Sequence, residues 1–175
     1  MNKNLVITAL GNDKPGIVNE LSKAILDHGG NITESRMMVL SGEFAIMLLV
    51  TGNQDNIATI NAKLNVIGKN LGLTLIAKET QPQDTNNKSL PYQVTVVSID
   101  QPGIVYDISD FITSRNLNIE EIETKTYPAA HTGTTMFSLN MTISIPADSS
   151  VSSLREELIT FCDDLNLDAT FESKR

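Results

Sequence analysis

The residues with the most chemical promise form a hexapeptide that occurs twice. Asp13-Lys14-Pro15-Gly16-Ile17-Val18 returns 87 positions later as Asp100-Gln101-Pro102-Gly103-Ile104-Val105. Each copy follows a short apolar run and precedes an amphipathic one, which places it at a strand-to-helix junction. Proline suits the first helical turn, where its missing N–H would go unpaired anyway. The aspartate before it can cap free backbone N–H groups. Glycine removes a side chain where the backbone enters the helix, so another group can come close. A helix N-terminus offers N–H donors and partial positive charge to a carboxylate. Asn12 and Asp13 add oxygens that can face an ammonium group. A small amino acid carries both groups. Plain helix capping, with no ligand, accounts equally well for one copy taken alone.

Other chemistry finds little support. His28 falls at an expected helix end and His131 in a loop; neither neighbours a second ligand at metal-binding spacing, so no metal or cofactor is called for. Cys162 follows Phe161 in an apolar helical row and reads as a small buried hydrophobe. Glu120, Glu121 and Glu123 read as a solvated strand face rather than an acid–base pair. Met37-Met38 reads as core or interface packing.

The elements that hold the motif repeat with it. At the same offset Thr8 meets Thr95, Ser22 meets Ser109, and Asn31-Ile32 meets Asn118-Ile119. The offset then grows, because the second copy has about six extra residues around Tyr127 to Gly133, and Phe44 aligns with Phe137. Further on, Ile57, Ile60, Leu64, Ile67 and Leu71 fall on Val151, Leu154, Leu158, Phe161 and Leu165, two rows at helical spacing. Each copy reads β-α-β-β-α-β. That order predicts an α+β fold of two tandem ferredoxin-like domains, each a four-stranded antiparallel sheet with two helices on one face. The expected boundaries are 1–80 and 91–175, joined by a polar, Pro-containing linker over 81–90.

The third strands differ. In the second copy Ser138, Asn140, Thr142 and Ser144 alternate with apolar residues, the pattern of a sheet with one face open to water. The first copy puts Ala45, Met47 and Leu49 at the matching outward positions. That apolar face is expected to be an interface, within the chain or between chains.

Composition narrows the function. Thirteen Lys and Arg against 21 Asp and Glu leave a net charge of −8. This opposes direct nucleic-acid binding, where a basic face neutralises phosphate, and adsorption to anionic membrane. One cysteine cannot form an intrachain disulfide, which suits a reducing compartment. The N-terminus lacks a long apolar stretch, and the longest apolar run, Phe44 to Val50, is far too short to span a bilayer. A cytoplasmic location is expected. Domains this small lean on one another or on a second chain, so a homodimer is expected.

On the residues Asp13, Pro15, Gly16 and Ile17, and again Asp100, Pro102, Gly103 and Ile104, the chain resembles the ACT domain family of regulatory modules. The resemblance covers both halves. It implies amino-acid binding between paired domains, through this loop and the start of the second strand, here Asn31-Ile32 and Asn118-Ile119. Two such domains and little else also resemble the glycine cleavage system transcriptional repressor family. That likeness implies a sensor of a small amino acid, glycine favoured, that restrains a DNA-binding transcriptional activator without touching DNA. Gln101 stands where the first copy has Lys14, and Ile99 where it has Asn12, which makes the first pocket the better candidate. A ligand-free dimerisation module and, with less room in the chain, a small enzyme are the competing readings.

Overall fold

The computed structural model describes residues 2–81 and 89–174. It divides into two compact units, Met1–Gln83 and Asp84–Arg175. In the first unit the order is β1 (Asn2–Asn12), α1 (Ile17–Asp27), β2 (Asn31–Leu40), β3 (Glu43–Asn53), α2 (Gln54–Leu71) and β4 (Thr74–Thr80). The second repeats it as β5 (Ser89–Ile99), α3 (Ile104–Thr113), β6 (Asn118–Pro128), β7 (Thr135–Pro146), α4 (Val151–Asp164) and β8 (Asp168–Ser173). The sheets run β2-β3-β1-β4 and β6-β7-β5-β8, with every neighbouring pair antiparallel. These are two ferredoxin-like β-α-β-β-α-β domains. Most of the linker expected over 81–90 lies outside the described residues, and Ser89 and Leu90 are the first residues of β5.

Alternation on the strands fixes where the core sits. Leu5, Ile7 and Ala9 of β1 and Phe44, Ile46, Leu48 and Val50 of β3 point to one face and are buried. There they join Ile17, Leu21 and Ile25 of α1 and Ile57, Ile60, Leu64 and Ile67 of α2 in one cluster. In the second unit Val94 and Val96, with Phe137, Leu139, Met141, Ile143 and Ile145, meet Ile108, Ile112, Leu158 and Cys162. Both helices of each unit therefore cover the same face of its sheet.

The duplication reaches the backbone. An irregularity between Ile32 and Glu34 in β2 recurs between Ile119 and Glu121 in β6. All four helices end in a left-handed residue, with the next N–H returning to the last turn: Gly29 and Gly72 in the first unit, Asn116 and Asn166 in the second. Glycine there carries no Cβ penalty, and asparagine is among the few residues that tolerate it.

The loop that opens α1 differs from expectation. Helix α1 begins at Ile17, so Pro15 lies just outside the helix rather than in its first turn. Gly16 is the N-cap residue at φ 86°, and no side chain caps the helix. The same holds for Gly103 at φ 100° before α3. Asp13 and Asp100 thus leave their helix ends uncapped; their backbone N–H groups instead donate to Gly42 O in the β2–β3 turn and to Thr135 O at the start of β7, both at 2.9 Å. The glycines are needed for a backbone conformation that L-residues avoid.

Candidate functional site at the first strand-to-helix loop

Beside the α1 N-terminus lies an open cleft of about 560 Å³, lined by Asp13, Lys14, Gly16, Ile17, Met37 and Phe44 among others. Strand β1 ends at Asn12, the loop turns through Gly16, and α1 starts at Ile17 with no side-chain cap. The Ile17 N–H is taken by Lys14 O at 3.3 Å and the Glu20 N–H by Gly16 O at 2.9 Å. Those of Val18 and Asn19 have no partner among the described residues, as at any uncapped helix start. The Asp13 carboxylate and the Lys14 ammonium are exposed and likewise unpartnered. The cleft therefore sets an anion, a cation and free N–H donors next to an apolar wall of Ile17, Met37 and Phe44. A zwitterion with a short side chain is the chemistry this matches.

The structure brings some predicted site residues together and separates others. Asp13, Gly16 and Ile17 line the cleft, with Pro15 between them in the loop. Asn12 pairs with Glu43 and, by strand alternation, shares the outer sheet face with Leu10 rather than the cleft. Asn31 pairs with Thr51, at the far end of β3 from Glu43. Eight residues of strand separate the two rungs, roughly 26 Å at about 3.3 Å per residue, so Asn31 and Ile32 cannot touch a ligand held at Gly16 of the same unit. Asn118 and Ile119 stand equally far from Asp100, Pro102, Gly103 and Ile104: Asn118 pairs with Ser144, and Ile99 with Met136. The two halves of the expected site meet only if two domains pair.

Lys14, Met37 and Phe44 escaped sequence reasoning as site residues. Lys14 lies inside the motif, where its change to Gln101 was the available signal. Met37 and Phe44 reach the cleft through the β2–β3 register, which no local pattern prints.

The outer face of the first sheet carries more apolar residues than the predicted three, with Thr8 and Arg36 flanking Met47 on the neighbouring strands. Met47 is 55% exposed, with Ala45 and Leu49 half-buried beside it. Across the rungs stand Leu10, Met38 and Ile76, exposed by 51%, 54% and 68%. In the second unit Ser138, Asn140 and Thr142 occupy the matching positions. Ser138 and Thr142 are buried, against the expectation of an open polar face. Lys174 reaches over that face, donating to Thr142 Oγ1 at 2.8 Å and to Glu121 at 2.9 Å. Ser138 Oγ has no partner among the described residues.

The other titratable groups weighed in the sequence make contacts within the fold. His28 caps the end of α1, with Nδ1 2.6 Å from Ala24 O and Nε2 3.0 Å from Lys63 Nζ. Cys162 is fully buried, and burial, with Asp163 nearby, pushes its thiol up to about 11. Glu120 accepts from Ser144 across the sheet, and Glu121 pairs with Lys174. Among the described residues no group of three His, Cys, Asp or Glu is placed to hold a metal, and no helix is long and apolar enough to cross a membrane.

The β-α-β-β-α-β domain with an open cleft at its first loop is of the ferredoxin-like class, and residues 3–78 match the ACT domain family. The glycine cleavage system transcriptional repressor of Escherichia coli is 30% identical over 164 residues, 93% of this chain and 85% of its own length. A solved structure provisionally named as such a repressor superposes over all of this chain and 99% of its own, with a TM-score of 0.75 at 25% identity. An unknown protein from Galdieria sulphuraria shares the fold over both full chains, with a TM-score of 0.78 at 24% identity. The chain belongs to the glycine cleavage system transcriptional repressor family. Family and fold together support a regulatory, amino-acid-sensing role.

Proposed function

We propose that this protein senses a small amino acid, glycine favoured, and transmits its occupancy to a DNA-binding transcriptional activator rather than to DNA. The observation that carries the reading is the cleft at the repeated loop, where Asp13, Lys14 and the free N–H groups of α1 converge. The net charge of −8 favours a protein partner over phosphate. The cleft is open, so a second domain completes it. Asn31-Ile32 of a second copy of the chain supplies the missing side, in line with the ligand position that the family implies. The second copy, with Gln101 in place of Lys14, binds more weakly or not at all.

The apolar outer face centred on Met47 supports a homodimer, the assembly that a ligand-free dimerisation module would also use. A thermal-shift panel of the amino acids separates the two readings. A selective rise with glycine or serine, lost in Asp13→Ala, supports the sensor. A flat panel at millimolar ligand removes it and leaves the dimerisation module. Ligand at 100 times its dissociation constant stabilises by about 2.7 kcal/mol, a shift of several degrees for a chain of this size.

A further inference from the structure

The two copies share a fold but not a charge. Residues 1–88 hold eight Lys and Arg against eight Asp and Glu, whereas residues 89–175 hold five against 13. The whole net charge of −8 therefore sits on the second copy. Part of it lines an open groove of about 540 Å³ between α3 and α4. Asp110 stands on one wall and Glu156 and Asp164 on the other, with Phe161, half-buried, on the floor against Phe111 at 4.9 Å between ring centroids. The three carboxylates are exposed and have no partner among the described residues. Glu157 is different: Arg115 donates to it at 2.8 and 3.0 Å while lying over the Phe111 ring.

The first copy shows that the fold does not require this chemistry. Its α1–α2 groove occupies the same place. At the positions matching Asp110, Glu156, Glu157 and Asp164 it carries Lys23, Ala62, Lys63 and Asn70. The inter-helix link survives with other groups, His28 to Lys63 in place of Arg115 to Glu157. What the second copy adds is an anionic rim around an aromatic floor.

We infer that the α3–α4 groove docks a Lys/Arg-rich segment of a DNA-binding protein, seating an aliphatic or aromatic side chain of that segment against Phe161. A protein that binds DNA carries such a basic surface, and complementary charge steers and registers the encounter. This rests on the proposed function, in which the partner is a DNA-binding activator, and adds the surface used.

The test is the binding of the full chain to the purified DNA-binding activator of the glycine cleavage genes, followed by fluorescence anisotropy at 50, 150 and 300 mM salt. The triple variant D110K/E156A/D164N installs the first copy's residues in the groove. It is expected to bind at least about tenfold more weakly at 150 mM salt, with a shallower salt dependence. K23D in the first copy is expected to leave affinity within about twofold. Circular dichroism melting of both variants checks that the fold is kept, since all the changed positions are exposed. If the triple variant binds as wild type, the groove is not the docking surface, though the activator-mediated reading stands. If wild type itself fails to bind, that reading and the docking surface fall together. The amino-acid thermal shift then tells whether the sensor survives.

Discussion

Replacing Gly16 by alanine separates two reasons for the glycine, and the structure predicts which one wins. A Cβ built at Gly16 meets nothing within 4 Å, so the substitution creates no clash in the folded protein. The residue nevertheless sits at φ 86°. An L-residue there costs about 1–2 kcal/mol relative to glycine, and the loss of unfolded-state freedom returns less than about 1 kcal/mol of it. A net loss of about 1 kcal/mol lowers the melting temperature of a domain this size by about 4–8 °C. Gly16→Asn should lose less, because asparagine tolerates the left-handed region. Gly103→Ala should behave like Gly16→Ala: its Cβ would lie 3.6 Å from Asp107 Oδ2, an ordinary contact. The assay is thermal unfolding by circular dichroism, with amino-acid affinity by calorimetry well below the transition. Affinity should change little. An alanine variant that melts with wild type yet no longer binds amino acid would refute the reasoning. Glycine would then be required for ligand approach and not for the backbone.

Further outcomes follow from the same geometry. Asp13→Ala should weaken amino-acid binding by about tenfold, the loss of one charge-assisted hydrogen bond. Asn12→Ala should leave it unchanged, since Asn12 lies on the outer sheet face and not in the cleft; calorimetry reads both. Met47→Glu should reduce the mass in light scattering at micromolar concentration from dimer to monomer, while Asn140→Glu at the matching position of the second copy should not. Cys162 gives a pH dependence. Its folded pKa of about 11 lies above the ordinary 9.0. Above pH 9 the unfolded thiol ionises while the folded one stays protonated. Stability is therefore intact below pH 9 and falls by about 1.4 kcal/mol per pH unit up to about pH 11. Urea unfolding of wild type and Cys162→Ala at pH 8 and pH 10.5 reads the difference; equal pH dependence would sink the assignment.

The α+β repeat was legible because duplication prints the same local signals twice. Alternation in Phe137 to Ser144, helical spacing in Ile57 to Leu71 and the repeated hexapeptide are each properties of a few neighbouring residues. The apolar outer face was legible at Ala45, Met47 and Leu49 for the same reason. Its extension to Leu10, Met38 and Ile76 was not, since these lie on other strands and meet only through pairing register.

The loop divides along the same line. Its residue types by themselves marked a junction able to hold a carboxylate and an ammonium group. They did not reveal that Pro15 stays outside the helix, or that Gly16 takes a left-handed conformation, which follows from how β1 must turn to enter α1. The resemblance to the ACT family implied Asn31 and Gly16 as two sides of a site between paired domains, not within one. The antiparallel register sets them at opposite ends of the sheet, because β2 starts where β3 ends. Local spacing thus determined the elements, the duplication and the chemistry available at the loop. Tertiary structure alone decided which side chains share a cleft, since the distance between residues on different strands depends on register and not on separation along the chain.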